Sequence, residues 1–130
     1  MNLKIITQEK VVFEGEVDEI YSKGTDGEFG ILKGHIPLMV ALDIGVTRAI
    51  INGETKNFTT MGGILQFKDE ECLILTTIAE AGDDIDEMRA QDALDRAKRR
   101  LREANSRLEA KRADAAIARA EARLKAKLSK

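Results

Sequence analysis

Ile44-Gly45-Val46-Thr47-Arg48-Ala49-Ile50-Ile51-Asn52-Gly53-Glu54-Thr55-Lys56-Asn57-Phe58-Thr59-Thr60-Met61 is the stretch on which the fold turns. Asn52-Gly53 supplies the two positive φ angles of a type I′ turn, so Ile44 to Ile51 and Thr55 to Met61 are expected to pair as a β-hairpin. Toward the C-terminus, Lys68-Asp69-Glu70-Glu71 makes a polar turn between Gly63–Phe67 and the run Cys72-Leu73-Ile74-Leu75-Thr76-Thr77-Ile78, which is apolar enough for a central strand. Toward the N-terminus, Leu3, Ile5 and Thr7 alternate with Lys4 and Ile6, and Val11 to Ile20 gives two short runs parted by Gly15. Roughly eight to ten short strands in about 80 residues point to an antiparallel β-sandwich or flattened barrel.

The pattern changes at Gly82. Nine of the ten glycines and the single proline, Pro37, lie at or before Gly63, and Gly82 is the tenth. Residues 86–130 carry 14 Lys/Arg against 8 Asp/Glu, net +6, whereas residues 1–85 carry 7 against 15, net −8. Ala90, Leu94, Ala97, Leu101 and Ala104 recur at helical spacing, as do Ala110, Ala113, Ile117, Ala120, Leu124 and Leu128. Ser106-Arg107-Leu108-Glu109 fits a capping box, in which Ser106 and Glu109 satisfy each other's amides, so a second helix is expected from Arg107. One continuous helix from Ile85 to Leu128 is the other arrangement that this pattern allows. The organisation is therefore α+β, with a β domain over 1–84 and a two-helix segment over 85–130. Both helical stripes alternate Ala with a larger aliphatic, which buries little area. Such a hairpin needs a support, either the β domain or a partner, and is able to exchange one for the other.

The composition excludes several function classes. No run approaches the ~18 apolar residues of a membrane-spanning helix, and no basic-then-apolar segment opens the chain, so a soluble, unprocessed protein is expected. One cysteine and one histidine, Cys72 and His35, exclude an internal disulfide and a tetrahedral protein zinc site, which fits a reducing compartment. Ser22, Ser106 and Ser129 lie in no nucleophile-elbow sequence, and Cys72 sits in an apolar strand pattern that suits a buried, inert thiol. Gly24, Gly27, Gly30 and Gly34 have neither the spacing of a dinucleotide fingerprint nor a following Gly-Lys-Ser/Thr, and turn chemistry explains them better. The basic residues lie on helices without aromatics for stacking, which argues against nucleic-acid binding.

Gly27-Glu28-Phe29-Gly30-Ile31-Leu32-Lys33-Gly34-His35-Ile36-Pro37-Leu38, preceded by Val12-Phe13-Glu14-Gly15-Glu16-Val17-Asp18, resembles the epsilon subunit of bacterial and chloroplast F-type ATP synthase, the counterpart of mitochondrial delta. Ile85-Asp86-Glu87-Met88-Arg89-Ala90 and the alanine-rich tail are similar to the same family, so the resemblance spans the chain. Lys33 departs from it, standing where the family usually has Pro. The resemblance implies a ten-stranded sandwich with a mobile helical hairpin, a non-catalytic subunit that needs no cofactor. Its implied partners are the gamma subunit, the c ring and the alpha/beta hexamer, whose ATP hydrolysis the extended helices inhibit. Contact with the membrane is then only indirect, through the complex, on the cytoplasmic face of a bacterial plasma membrane in preference to a thylakoid. In the matching loop, Glu28 and His35 are the polar residues implied to meet the c ring; a solvated carboxylate and a locally bonded imidazole are the plainer readings.

Ile85-Asp86-Glu87-Met88-Arg89-Ala90 also resembles the Ile/Leu-Asp-x-x-Arg-Ala motif with which some bacterial epsilon subunits bind ATP as a regulatory ligand. Family positions that match further are Glu80, Arg96, Arg119 and Arg123. Arg89 and Arg96 are seven residues apart and Arg119 and Arg123 four apart, so each pair shares a helix face, and a folded hairpin brings guanidiniums toward one polyphosphate. Glu80 and Asp86 suit an adenine amino group or ribose hydroxyls. The plainer reading makes Asp84 or Asp86 a helix cap and the arginines solvated charges. Outside this family, the same composition serves a sandwich-plus-coiled-coil adaptor; a small hydrolase is disfavoured because no Ser or Cys nucleophile has a nearby His.

Overall fold

The computed structural model describes residues 1–129; residue 130, the last of the expected helical segment, lies outside the described residues. The strands are β1 (Asn2–Ile6), β2 (Val11–Glu16), β3 (Glu19–Gly24), β4 (Gly27–Leu32), β5 (Leu38–Ile51), β6 (Glu54–Lys68), β7 (Glu71–Leu75) and β8 (Ala79–Ala81). A 3-10 turn at Gly82–Asp84 leads to α1 (Glu87–Arg102) and α2 (Arg107–Leu128). The expected sandwich and the two helices are both present, but the strands number eight among the described residues rather than about ten, and the sandwich is not wholly antiparallel because β1 pairs parallel to β7.

The difference has a physical cause in β5 and β6. Asn52 and Gly53 form the expected turn, with φ of 50° and 81°, and join the two strands in one register from Leu38↔Phe67 to Ile51↔Glu54. Thr55–Met61 and Gly63–Phe67 are thus one 15-residue strand. Gly62 and Gly63, at φ +77° and +106°, bend β6 without ending it. A Cβ on Gly63 would stand 2.0 Å from the Leu75 carbonyl oxygen, so no other residue fits the bend. Before the bend β6 pairs with β8, and after it with β7. One strand therefore serves both layers, and fewer strands close the sandwich. A second difference lies between β2 and β3. Gly15 stays inside β2, opposite Leu3, and the chain turns instead at Asp18, whose amide donates to Ile50 O (2.7 Å) and whose carboxylate accepts from the Asn52 amide (2.9 Å).

Leu3, Ile5, Leu65, Phe67 and Ile74 from one layer meet Ile20, Ile31, Ala49 and Phe58 from the other, all fully buried. α1 follows its expected stripe, whereas α2 buries Ala113 and Ala120 of the expected stripe but turns Ala122 and Ala126 inward in place of Leu128, which is exposed. Ala90, Leu94 and Ala97 of α1 and Ala113, Ala120, Ala122 and Ala126 of α2 are buried. Asp86 caps α1 by accepting from the Arg89 amide (3.1 Å). Ser106 caps α2 by accepting from the Glu109 amide (3.1 Å), while the Glu109 carboxylate takes the Asn105 amide (2.8 Å), one residue before the expected partner. The Ser106–Glu109 cap breaks the helix in two. The hairpin leans on the β domain through α2, which lies against β5 and β6. Ile85, Ala90 and Ala126 pack there with Val46 and Leu124.

Cys72 belongs to the sandwich core, and burial pushes its thiol from the ordinary 9.0 up to about 12. The folded chain holds the proton more tightly than the unfolded one, so this group's contribution to stability is full below pH 9 and falls as pH rises from 9.0 toward about 12. In the native chain Cys72 should therefore resist a disulfide reagent at pH 8 and react fully once the chain is unfolded in guanidinium; rapid native labelling would contradict this burial.

Candidate functional site

A cavity of about 440 Å³ opens where β8, the 3-10 turn, α1 and α2 converge, a volume within the ~300–1,000 Å³ usual for small-molecule sites. Each element contributes through its own local logic. Glu80 comes from β8, whose register on β6 places it opposite Thr59, and its amide donates to Thr59 Oγ1 (3.0 Å). Ile85 and Asp86 follow the 3-10 turn, with Ile85 buried as a hydrophobic floor. Arg89 and Arg96 project from α1, two helical turns apart. Arg123 reaches in from α2.

Six of the seven residues singled out for a nucleotide thus line one cavity: Glu80, Ile85, Asp86, Arg89, Arg96 and Arg123. Arg119 is not among the lining residues. It lies one helical turn, about 6 Å, from Arg123 toward the α1–α2 connection. The structure adds Asp84 and Asp92, which were not among the candidate ligands. Asp92 had a sequence signal, because positions 89, 92 and 96 fall on one helix face. Asp86 does what the plainer reading assigned it, capping α1, and still borders the cavity.

The cavity has two electrostatic sides. Arg123 Nε donates to Glu80 Oε1 at 2.8 Å, an ion pair whose side chains remain 27% and 36% exposed. Among the described residues, Arg89 and Arg96 enter no ion pair within 4.0 Å. Two guanidiniums on α1 without ion pairs and a third held by Glu80 thus line the cavity together with the carboxylates of Asp84, Asp86 and Asp92. Such an arrangement suits an anionic ligand with several oxygens, for which guanidiniums offer planar forked donors. Among the described residues there is no cluster of His, Cys, Asp and Glu able to hold a metal.

Glu28 and His35 are not brought together. Glu28 stands at the β3–β4 turn, where its carboxylate lies 3.8 Å from Lys125 Nζ of α2. His35 lies beyond the opposite end of β4, its Nδ1 2.6 Å from the Ile36 carbonyl oxygen and its ring edge-on to Phe67. The Gly34 amide donates to Glu70 Oε1 (2.8 Å), which ties this loop to the β6–β7 turn. Ile36 and Met39 beside it are exposed.

Residues 1–82 match the family described as ATP synthase, Delta/Epsilon chain, beta-sandwich domain, and residues 83–127 match its long alpha-helix domain. The chain belongs to the delta/epsilon chain family of ATP synthase. Relatives named ATP synthase epsilon chain include those of Desulforamulus reducens, 40% identical over 95% of this chain and 94% of that one, and of Rippkaea orientalis, 40% identical over 97% and 95%. A chain in the mitochondrial ATP synthase of Euglena gracilis has the same fold, with a TM-score of 0.81 over 92% of this chain and 76% of that one at 22% identity. Membership sets aside an unrelated adaptor and makes this a non-catalytic subunit. None of its helices among the described residues is long and apolar enough to cross a membrane.

Because the side chains of the Glu80–Arg123 pair are 36% and 27% exposed, solvent screening is expected to hold its contribution to stability to about 1 kcal/mol. Glu80→Ala should lower the urea midpoint only slightly and leave the circular dichroism spectrum unchanged, so ligand effects of this variant are readable against an intact fold.

Proposed function

We propose that this chain is a rotor component with a nucleotide-sensitive brake: the β domain seats on the gamma subunit and the c ring, the extended helices inhibit ATP hydrolysis, and ATP bound to the folded hairpin restrains them. The observation that carries this reading is the shared wall of the cavity. Its lining comes from β8, the 3-10 turn, α1 and α2 together, so it exists only when the hairpin is folded back. A ligand that needs all of these walls stabilises the folded state alone.

Phosphates fit the side of Arg89, Arg96 and Arg123, and Glu80 and Asp86 fit hydroxyl or amino donors of the nucleoside. Arg119 enters this scheme only if the ligand draws α2 inward by part of a turn. For the seat, register supports a continuous outer sheet row of Ile6, Leu75, Ile64 and Ala41. Ile64 and Leu75 are about half exposed, at 47% and 49%, and this apolar face suits a helical partner such as the gamma subunit. Met39 continues it toward the His35 loop, the end that suits the c ring. Glu28 lies 3.8 Å from Lys125 of α2 with its side chain still largely exposed, so it stays open to the ring.

The net +6 of residues 86–130 favours acidic segments of the catalytic hexamer once the helices extend. Truncation after Asp84 should raise ATP hydrolysis by the assembled complex while leaving assembly intact; an unchanged rate at low ATP, where the extended state prevails, would overturn the brake.

Charge-assisted hydrogen bonds contribute roughly 1.5–3 kcal/mol each, so two or three net contacts give dissociation constants between ~1 mM and ~1 μM after ordering costs. Calorimetric titration of the full chain with ATP should show binding in that range, and Arg89→Ala or Arg123→Ala should weaken it at least tenfold. Absence of heat and of amide shifts at ~10 mM ATP with Mg²⁺ would return these arginines to solvated helix charges.

A further inference from the structure

The last turn of α2 meets the β domain at a seam that lies outside the nucleotide cavity. There the Ala126 carbonyl oxygen approaches Gly82 so closely that a Cβ on Gly82 would stand 2.3 Å from it and 3.0 Å from its carbon. Both groups are backbone, so neither is able to rotate aside. Gly82 has no left-handed φ, and an alanine there meets no conformational penalty of its own. Beside it, Asn57 of β6 donates from Nδ2 to the Ser129 carbonyl oxygen (2.9 Å), and its Oδ1 is buried without a partner among the described residues. Lys127 Nζ adds a bond to the Asp83 carbonyl oxygen (3.3 Å).

We propose that Gly82 and Asn57 form a seat for the C-terminal turn of α2, and that this seat, which touches no ligand, positions Arg123 and so sets both the folded state of the hairpin and the affinity of the cavity. The part concerning affinity rests on the nucleotide reading above. Arg123 stands three residues before Ala126, less than one turn of about 5.4 Å, and displacement of Ala126 by a Cβ carries the guanidinium with it. Asn57 makes the seat conditional. With α2 docked, one end of its amide is bonded and the other is desolvated; with α2 away, water reaches both. The seat thus holds α2 without locking it.

Spin labels on cysteines introduced at exposed Glu54 and Glu121, with buried Cys72 left in place, read the docked distance in the full chain. In Gly82→Ala the docked population should fall at least tenfold while the strand and helix spectrum is kept, and the dissociation constant for ATP should rise at least tenfold. Asn57→Asp, which turns a donor toward Ser129 into a repelling carboxylate, should act in the same direction, and decides the matter if Gly82→Ala fails to fold. Loss of docking in these variants when even the wild-type chain shows no ATP heat supports the seat and overturns only the nucleotide reading. A wild-type docked distance and population in both variants overturns the seat.

Discussion

The Ala126 carbonyl lies against the Cα of Gly82, and the position of both helices depends on that approach. Alanine stripes bring backbones near one another but bury few methylenes, so the helices gain less from area than from fitting closely. Of the two helices, α2 makes the main contact with the β domain, while α1 adds Ala90 to the cluster of Ile85, Ala126 and Val46. α1 is held through α2 on one side and through the short 3-10 turn on the other, which makes its orientation secondary to the fit of α2. Because Arg89 and Arg96 belong to α1 and Arg123 to α2, the cavity inherits its shape from this one contact.

The remaining attachments of α2 to the β domain are a small apolar cluster, in which Ala126 and Leu124 meet Ile85 and Val46, and a few polar contacts that are partly exposed. Glu28 with Lys125 stands at 3.8 Å, with side chains 71% and 62% exposed, and such pairs contribute about 0–1 kcal/mol. A hairpin fixed by a close backbone fit, a small apolar cluster and a few weak polar contacts has a steep dependence on register and a shallow total energy. It is well held in one place and poorly held anywhere nearby. That combination suits an element with two discrete positions rather than a continuum of them.

Much of the β domain was legible from residue order, since Asn52-Gly53 dictates its turn and the polar Lys68-to-Glu71 segment dictates the next. The strand count was not, because Gly62-Gly63 looks like a terminator while acting as a bend, and only the approach of Leu75 O to Gly63 distinguishes the two. The break between the helices was readable in Ser106 and Glu109. Of the cavity, the α1 arginines follow from helical period, but the selection of Arg123 over Arg119 depends on how α2 is rotated against the sandwich. That rotation is set at Gly82 and Asn57, far along the chain from α2 and without a periodic signature of their own. Asp92 shares the helix face of Arg89 and Arg96, a signal that the helical period does offer, but between two arginines it also reads as ordinary charge balance.

The size of these terms decides what a ligand is able to do. A molecule that binds only the folded arrangement stabilises it by about 2.7 kcal/mol at 100 times its dissociation constant. Against a sandwich core of fully buried aliphatics, where deleting one large side chain costs ~2–5 kcal/mol, that is too little to reorganise the β domain. Against the small apolar cluster and the few polar contacts that hold α2, the polar ones worth about 1 kcal/mol or less each, it is enough to bias which arrangement prevails. Nucleotide control would therefore act on the helices and leave the seat on the rotor undisturbed, so one small chain is able to hold a fixed attachment and a movable arm at once.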